Sequence, residues 1–331
     1  MIANYFQILK KSFTPSRFWN LILVNTSYIL SLLLKKPIVW GLPPKLMIEP
    51  TNFCNLKCPL CPSGADKLSR NRGYMSLENF QKIIDQVEKH CFVIYLWNQG
   101  EPFLHKDIIK MINYATSKRI SVIISTNANV MPNLSELVQS GLESLVISLD
   151  GITQDTYNKY RINGSIDKVY DNVQALFQAK QELKKEKPTI ICQFIIMRHN
   201  EHEINRFKAI KIGCDKKVIK KVQIYSKDDI NNFLPSNHKH NRYKIINDEF
   251  IFKYKIKNRC SRLWNQPVIN WDGSISVCCF DKDNIYKIGN VFGNEFSKIW
   301  KSKIYMGFRK AVLNNRQEYE MCRNCDESMG R

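Results

Sequence analysis

Short apolar runs alternate with amphipathic stretches between residues 45 and 226. The apolar runs predict six strands, at Lys45–Glu49, Phe92–Trp97, Ile120–Ser125, Ser144–Leu149, Ile190–Met197 and Lys221–Tyr225. Apolar residues at helical spacing predict helices between them, at Ser76–His90, Lys106–Lys118, Leu134–Ser140, Ile166–Lys185 and Glu201–Ile212. Continuous apolar strands are typical of a parallel sheet covered on both faces. Six such units, rather than eight, predict an open α/β fold, a partial (β/α)6 TIM-like barrel.

The pattern changes after residue 226. Residues 227–257 are polar, basic and weakly periodic, which predicts a linker or variable segment. Residues 258–331 form a small C-terminal unit, in which Asp272-Gly273 predicts a hairpin turn. Two short helices are expected near Phe296–Ser302 and Tyr305–Leu313. The predicted domains are therefore residues 1–42, 43–226, 227–257 and 258–331.

The N-terminal segment, residues 1–42, contains a predicted amphipathic helix at 18–34. Its polar face holds Asn20, Ser27 and Ser31, and its apolar face holds Phe18, Ile22, Ile29 and Leu33. Such a helix suits either a membrane surface or the open end of a barrel, and the second role is favoured. Polar residues interrupt its apolar run and no small-residue cleavage site follows. The sequence therefore predicts neither a membrane span nor a secretory signal. The predicted location is the cytoplasm.

The composition and net charge of the chain limit the classes of molecule that it is expected to bind. The chain has 331 residues, 44% apolar and 24% charged, which excludes a disordered or collagen-like protein. The net charge is +20, and no acidic residue precedes Glu49. Basic stretches attract phosphates, nucleic acid or anionic lipid, but a solvated lysine-rich surface is the favoured interpretation. Nucleic acid is not favoured as a partner, and a weak contact with a membrane surface is the remaining expectation for residues 1–42.

Three cysteines follow the first predicted strand in one loop, at Cys54, Cys58 and Cys61. Three thiolates on one short loop can bind three corners of an iron–sulfur cube, which leaves the fourth iron open to a substrate. Structural zinc usually takes four ligands from paired knuckles, so zinc is disfavoured here. The cytoplasmic location and the clustered spacing favour reduced metal ligands over disulfides.

A second set of four cysteines lies in the C-terminal unit. The set is Cys260, Cys278, Cys322 and Cys325. Four thiolates would ligate a [4Fe–4S] cluster completely, and a four-cysteine zinc site remains the alternative. Cys279 is the alternative to Cys278. Three further cysteines are interpreted as small core residues, at Cys91, Cys192 and Cys214.

Several classes of enzyme lack support. The six histidines show no paired zinc-protease motif, and neither a Walker loop nor a Gly-x-Gly-x-x-Gly motif occurs. P-loop ATPases and Rossmann dehydrogenases are therefore not indicated.

The three-cysteine loop and later motifs resemble the radical S-adenosylmethionine (SAM) enzyme family. Asn98-Gln99-Gly100-Glu101-Pro102 is similar to the family's Gly-Gly-Glu-Pro motif, with Gln99 in place of the first glycine. Ser125-Thr126-Asn127 resembles its Thr-Asn-Gly motif, with Ala128 in place of the glycine. Ser148-Leu149-Asp150-Gly151 ends the fourth strand as in many members, and Arg161 stands where relatives carry an arginine near the SAM carboxylate.

The resemblance implies a SAM-binding [4Fe–4S] cluster held by the three-cysteine loop. It implies contacts with SAM from Gly100, Glu101, Pro102, Thr126, Asn127, Ser148, Asp150 and Arg161. The segment around Glu101 would contact the methionyl amino group. The expected reaction is reductive cleavage of SAM to a 5′-deoxyadenosyl radical, which abstracts hydrogen from an unactivated carbon.

The C-terminal cysteines resemble the SPASM/twitch auxiliary domain of the same family. The glycine-to-cysteine spacing of that pattern favours Cys278 over Cys279, and the chain ends where a two-cluster domain would continue. The match is therefore to the single-cluster form, with one auxiliary [4Fe–4S] cluster. Its spacing is close to that of the twitch-type dehydrogenase of 2-deoxy-scyllo-inosamine.

The expected function is that of an oxidoreductase-type radical SAM enzyme acting on a small molecule, such as a sugar or cyclitol. The implied partners are this substrate and an electron donor such as flavodoxin or ferredoxin. One alternative is a radical SAM enzyme that modifies a peptide or protein. The alternative of another class is a zinc-binding protein that binds RNA or a membrane surface.

Overall fold

The computed structural model describes residues 5–247 and 249–326. Residues 1–4 of the predicted N-terminal segment and residues 327–331 of the predicted C-terminal unit lie outside this described part. All seven cysteines expected to hold metal, and all eight residues expected to contact SAM, lie within it.

Six parallel strands form the main sheet in the order of the sequence. They are β1 (Lys45–Ile48), β2 (Val93–Tyr95), β3 (Ser121–Thr126), β4 (Ser144–Ser148), β5 (Thr189–Ile196) and β6 (Lys216–Lys221). The first five agree with the predicted runs to within two residues at either end. The sheet does not close on itself among the described residues, as an open barrel requires.

The C-terminal unit extends the same sheet. Its strands are β9 (Val268–Ile269), β10 (Ser274–Ser276) and β11 (Lys287–Asn290), after a separate hairpin of β7 (Tyr243–Ile246) and β8 (Glu249–Phe252). Strand β9 pairs in parallel with β1, so that Met47 lies opposite Val268. Strand β10 then pairs antiparallel with β9 through the predicted turn, where Gly273 has a φ of +78°. The sheet therefore runs from the barrel into the C-terminal unit without a break.

Helices surround the sheet. They are α1 (Tyr5–Ser12), α2 (Pro15–Leu34), α3 (Leu77–Val87), α4 (Ile108–Ser117), α5 (Leu134–Gln139), α6 (Gln154–Asn158), α7 (Ile166–Glu182), α8 (Ile204–Ala209), α9 (Asp228–Phe233), α10 (Arg262–Asn265), α11 (Phe296–Trp300), α12 (Lys303–Asn315) and α13 (Glu320–Arg323). Side-chain oxygens begin several of them; the hydroxyls of Ser76 and Ser165, for example, accept from the first turns of α3 and α7. One apolar core joins these helices to both parts of the sheet.

The sixth strand differs from its prediction. It spans Lys216–Lys221, whereas the apolar run predicted Lys221–Tyr225. Among the described residues, strand β6 pairs only with β5 and lies at the edge of the sheet, so its lysines reach solvent and no continuous apolar run marks it. Val222 and Ile224 are buried after the strand, beside Leu56 and Cys58. The apolar run therefore marks packing beyond the end of the strand.

The segment predicted as a linker, residues 227–257, carries regular structure. It contains helix α9 and the β7–β8 hairpin, in which Tyr243 and Phe252 lie opposite each other. Tyr243 is buried and its hydroxyl donates to Asn324 Oδ1 at 2.8 Å. The hairpin could not be predicted from the polar composition of this segment, because only a few of its side chains enter the core.

The N-terminal segment lies at the end of the barrel where the strands begin. Ile8 of α1 is 1% exposed and contacts the inward-facing Val93, Ile123 and Val146. Ser12 Oγ lies 3.1 Å from Ser121 Oγ at the first residue of β3. Helix α1 therefore caps the open end of the barrel, a role that the sequence assigned to residues 18–34.

Helix α2 begins at Pro15 behind the capping hydroxyl of Thr14. It packs against the C-terminal unit, where the rings of Tyr28 and Trp264 lie 5.2 Å apart. By length and composition alone α2 qualifies as a helix that could cross a membrane, which differs from the sequence-based expectation. Only 22% of its most apolar window is buried in the fold.

Candidate functional site: two cysteine centres at the strand ends

The three-cysteine loop follows β1 at the end of the barrel where the strands finish. Cys58 is buried and Cys54 and Cys61 are half-buried, among apolar neighbours that include Leu56 and Leu60. Burial raises the pKa of Cys54 to about 12 and also raises the pKa of Cys58. These thiols are therefore neutral without metal, and binding iron releases protons.

Arg161 links this loop to the end of β4. Its Nη1 donates to Cys58 Sγ at 3.6 Å, and its Nε donates to Asp150 Oδ2 at 2.9 Å. Asp150 is fully buried, and its Oδ1 accepts from the backbone N–H of Ile195 at 2.6 Å. The arrangement places one positive charge between a buried carboxylate and a cysteine thiol.

Gly100 places the motif after β2 directly against the cysteine loop. Its φ is +76°, and a Cβ on it would lie 2.6 Å from the carbonyl oxygens of Thr51 and Phe53. Its N–H donates to Ser63 Oγ at 3.1 Å. Only glycine suits this position, because both the backbone angle and the space exclude a side chain.

Glu101 ties the ends of β2 and β3 together. Its carboxylate accepts from Thr126 Oγ1 at 2.7 Å, from the Asn127 N–H at 2.8 Å and from the Phe103 N–H at 3.2 Å. Burial raises the pKa of Glu101 to about 7 even though these hydrogen bonds favour its ionised form. The group therefore titrates near neutral pH in the SAM-free protein.

The remaining predicted contacts lie at neighbouring strand ends. Pro102 is buried and begins a short 3-10 turn, and Ser148 is buried at the last residue of β4. Asn127 Nδ2 donates to Asn55 Oδ1 of the cysteine loop at 2.8 Å. The structure therefore brings the predicted residues of β2, β3 and β4 to one end of the barrel.

Two residues in this region were not predicted from the sequence to belong to the site. Glu49 is fully buried and receives both terminal nitrogens of Arg70 at 2.6 Å, and it also accepts from the Gln99 N–H. The Gln99 side chain, which replaces a glycine of the family motif, turns its Oε1 to 3.9 Å from Cys61 Sγ. A carboxylate at the end of an apolar strand was the available signal for Glu49. Nothing in the pattern around Gln99 indicated its neighbour.

The second centre is an apolar cavity in the C-terminal unit. Four cysteines line it, at Cys260, Cys278, Cys322 and Cys325. Cys279 does not line it; its Sγ instead accepts from Arg262 Nη1 at 2.9 Å. Arg316 also lines the cavity with its guanidinium beside Cys322, and within the described part of the chain its buried Nε and Nη2 donate to no nitrogen or oxygen acceptor. Buried donors beside four thiols fit an acceptor-rich group such as an iron–sulfur cluster.

Across residues 5–247 and 249–326, no three His, Cys, Asp or Glu side chains converge as closely as a single metal ion requires. The thiolates of a four-iron cluster each bind a different iron, so they do not need to meet at one point.

A cavity of about 880 Å³ separates the two centres. Its walls come from the cysteine loop (Pro59, Leu60, Pro62), the β7–β8 hairpin and residues 280–286 and 317–324 of the C-terminal unit. Asn324 fixes these walls together, since its Nδ2 donates to the Ile224 carbonyl at 2.6 Å and its Oδ1 accepts from Tyr243. The volume lies within the usual range for small-molecule sites.

Both centres fall within matched family models. Residues 48–207 match the model of the radical SAM superfamily, and residues 260–326 match the model of SPASM, an iron-sulfur cluster-binding domain. The first range contains the three-cysteine loop and every predicted SAM contact. The second contains the four cysteines of the apolar cavity.

Relatives of known name match over different lengths. The tungsten-containing aldehyde ferredoxin oxidoreductase cofactor-modifying protein of Pyrococcus furiosus is 23% identical over 313 residues, which is 85% of this chain and 86% of that protein. The Fe-coproporphyrin III synthase of Methanosarcina barkeri is 28% identical over 174 residues, 51% of this chain and 39% of that protein. The first match extends through the C-terminal unit, whereas the second covers about half of the chain.

Solved structures share the fold. BtrN in complex with AdoMet and 2-DOIA aligns with a TM-score of 0.55 at 17% identity, over 86% of this chain and 94% of that one. Streptococcus suis SuiB bound to S-adenosylmethionine aligns with a TM-score of 0.62 at 15% identity, over 90% of this chain and 75% of that one. These likenesses confirm the predicted partial barrel with a C-terminal domain.

Proposed function

Since the chain belongs to the radical SAM superfamily and carries a SPASM domain, we propose that it uses SAM to remove a hydrogen atom from a small molecule. Its cofactors are SAM, a SAM-binding [4Fe–4S] cluster and an auxiliary [4Fe–4S] cluster. When bound, the first cluster and SAM supply one-electron cleavage of SAM to methionine and a 5′-deoxyadenosyl radical. The hydrogen atom removed from the substrate would be recovered in 5′-deoxyadenosine, which gives the reaction a product to assay.

We assign the ligands of the two clusters from the two cysteine centres. The SAM-binding cluster takes Cys54, Cys58 and Cys61, which leaves one iron without a protein ligand. The auxiliary cluster takes Cys260, Cys278, Cys322 and Cys325, the four cysteines of the apolar cavity.

The chain's own residues hold SAM and exclude water. Glu101 presents a buried carboxylate for the methionyl ammonium group, and Thr126 and Asn127 fix its orientation. Arg161, held by Asp150, places its charge beside Cys58 and the expected position of the SAM carboxylate. Leu56 and Leu60 exclude water from the cysteine loop. These charge interactions are stronger there because the local dielectric constant is lower.

The cavity between the centres carries the proposal of a small-molecule substrate. It adjoins the cysteine loop on one side and the C-terminal unit on the other, so a substrate in it would lie close to both. Its lining mixes aromatic rings with charges of both signs, including Tyr225, Lys282 and Asp281. The Pyrococcus furiosus relative is named as a cofactor-modifying protein, which supports a small-molecule substrate.

The function is tested by following 5′-deoxyadenosine in anaerobic, dithionite-reduced protein. We expect slow formation from SAM alone, and faster formation when the low-mass fraction of a cell extract is added. The peptide and protein fractions of the same extract serve as the comparison. If only the peptide and protein fractions accelerate the reaction, the substrate is a peptide or protein rather than a small molecule. If no 5′-deoxyadenosine forms under any condition, the proposed chemistry is refuted.

Glu101 is expected to make SAM binding depend on pH. Because its pKa is about 7, it is mostly protonated at pH 6 and ionised at pH 8, and only the ionised form attracts the SAM ammonium. SAM affinity should therefore rise with pH up to about 8 and then level off. Glu101→Gln should weaken binding at pH 8 by roughly 1.5–3 kcal/mol, the contribution of a charged hydrogen bond, and flatten the pH profile. Equilibrium dialysis with the cluster-loaded protein measures both effects.

Glu78→Gln is the matched control, because Glu78 is exposed on α3 and paired with Lys82. It should leave both affinity and pH profile unchanged. An unchanged profile in Glu101→Gln would remove Glu101 from the SAM site.

The two adjacent cysteines of the C-terminal unit provide a further test. Cys278→Ala should lower the iron content by up to four per chain, because Cys278 lines the cavity with the other three cysteines. Cys279→Ala should keep the iron, because its sulfur accepts from Arg262 instead. Iron and sulfide assays on anaerobically purified protein measure the difference, and the reverse result would make Cys279 the ligand.

A further inference from the structure

Helix α2 buries several polar residues beside Val24 and leaves most of its large apolar residues exposed to solvent. Arg17, Ser27 and Ser31 are buried, with exposures of 2% or less. Ser31 Oγ accepts from the Ile38 N–H at 2.8 Å, and the Asn20 side chain exchanges two hydrogen bonds with the backbone of Leu42. This arrangement differs from an ordinary surface helix, which buries its apolar stripe and exposes its polar side.

The outward face is mostly apolar, although the exposed Asn25 and Thr26 lie between Ile22 and Ile29. It comprises Phe18, Trp19, Ile22, Ile29, Leu33 and Leu34, with Phe13 before the helix and Trp40 after it. Trp19 is 61% exposed and Leu33 is 73% exposed. Large apolar patches on a protein surface mark interaction sites, because exposing them to water costs free energy. We call this surface the α2 stripe.

The fold prevents α2 from rotating to bury the stripe. Arg17 donates to the carbonyl oxygens of Glu88, Ser12, Arg119 and Lys118 at 2.6–2.9 Å. At the other side, the Trp264 Nε1–H donates to the Ile38 carbonyl at 2.8 Å, which holds the segment after the helix. Rotation would leave these buried donors without partners, so the stripe is held outward.

Positive charge flanks both ends of the stripe. Lys10 precedes α2, and Lys35 and Lys36 follow it, all exposed. Lys11 is also at the first end, although it lies 3.6 Å from Glu143. No acidic residue occurs before Glu49. An apolar stripe between cationic ends matches the interface of a bilayer that carries anionic lipid.

We propose that the α2 stripe docks the protein on the surface of an anionic lipid bilayer. The helix lies in the plane of the interface rather than across it, because its polar side is held by the barrel. The indole rings of Trp19 and Trp40 suit the headgroup region, where amphipathic rings concentrate, and the ring of Phe18 adds apolar area.

The docking orientation follows from the barrel. Helix α1 caps the end where the strands begin, and α2 continues from it. The cysteine loop lies at the opposite end of the strands. The docked protein therefore keeps the mouth of its site away from the lipid, which favours a substrate from the aqueous side.

A second copy of the chain is the competing occupant of the stripe. In a twofold pair of antiparallel α2 helices, Lys10 of one chain would approach Lys35 and Lys36 of its partner. No carboxylate in residues 1–48 would offset this repulsion. Charge therefore favours lipid over a dimer.

Vesicle flotation with the full chain tests the proposal. We expect binding to phosphatidylcholine vesicles containing phosphatidylglycerol at low salt, weaker binding at high salt, and little binding to pure phosphatidylcholine. Ile29→Glu should weaken binding at least about tenfold, because it places a charge in the stripe. Lys35→Gln and Lys36→Gln should each weaken it about fivefold.

Ile246→Glu is the matched control, because Ile246 is 52% exposed on the β7–β8 hairpin and Ile29 is 55% exposed. It should bind vesicles as the unchanged protein does, and thermal unfolding should show that each variant folds. Absence of binding to the anionic vesicles at low salt overturns the proposal. So does a concentration-dependent dimer that Ile29→Glu dissociates while vesicles remain unbound, or an equal loss in Ile29→Glu and Ile246→Glu.

Discussion

Replacing Cys54, Cys58 and Cys61 together with alanine is expected to halve the iron content and abolish SAM cleavage. Two four-iron clusters give about eight irons per chain, and the auxiliary cluster alone gives about four. The variant should stay folded, because the three thiols pack in a smaller apolar cluster rather than in the main core of the sheet, and the C-terminal unit keeps its own ligands. Iron and sulfide assays and the yield of 5′-deoxyadenosine under dithionite measure the two losses.

Cys214→Ala is the control for this experiment, since Cys214 is half-buried and contacts Cys192 rather than either centre. It should retain full iron and full SAM cleavage. If the triple variant keeps about eight irons, the three-cysteine loop does not hold a cluster. If it keeps SAM cleavage, the proposed site of the reaction is wrong.

Gly100→Ala is expected to destabilise the fold by about 2–5 kcal/mol and to abolish SAM binding. Its positive φ strains any other residue, and its new Cβ would lie 2.6 Å from the backbone oxygens of Thr51 and Phe53. Because backbone cannot give way as a side chain does, the loop must move, and Cys54 lies next to Phe53. Urea unfolding and equilibrium dialysis with SAM measure the two effects.

Gly307→Ala is the matched control for Gly100→Ala, and it is expected to change stability in the opposite direction. Gly307 lies within helix α12, and a Cβ on it would meet nothing within 4 Å. The substitution should stabilise the protein by up to about 1 kcal/mol, because alanine favours a helix over glycine. Equal effects of the two substitutions would contradict the strain at Gly100.

The sequence was sufficient where one local rule decides the structure. Strands β1 to β5 are buried on both faces, so each appears as an apolar run that can be found without a model. The residue type of Gly273 is enough to predict its turn. The spacing of Cys54, Cys58 and Cys61 is likewise enough to predict a metal site with three cysteine ligands. In each case the residues that matter lie within a few positions of one another.

Prediction failed where distant segments decide the structure. Strand β6 is an edge strand rich in lysine, and only its pairing with β5 makes it a strand. The polar side of α2 was recognised, but its burial depends on carbonyl groups of residues 88, 118 and 119 that receive Arg17. The cavity between the centres depends on Asn324, which meets Ile224 and Tyr243 from the other end of the chain.

The pairing of β9 with β1 has a consequence for synthesis of the chain. Strand β1 leaves the ribosome long before β9, the strand that covers its open edge. Until then, the backbone groups of β1 on that side have no strand partner, and an open edge is a template for wrong pairing with other chains. The sheet is therefore completed only after β9 has been synthesised, and until then the nascent chain is exposed to wrong pairing at this edge.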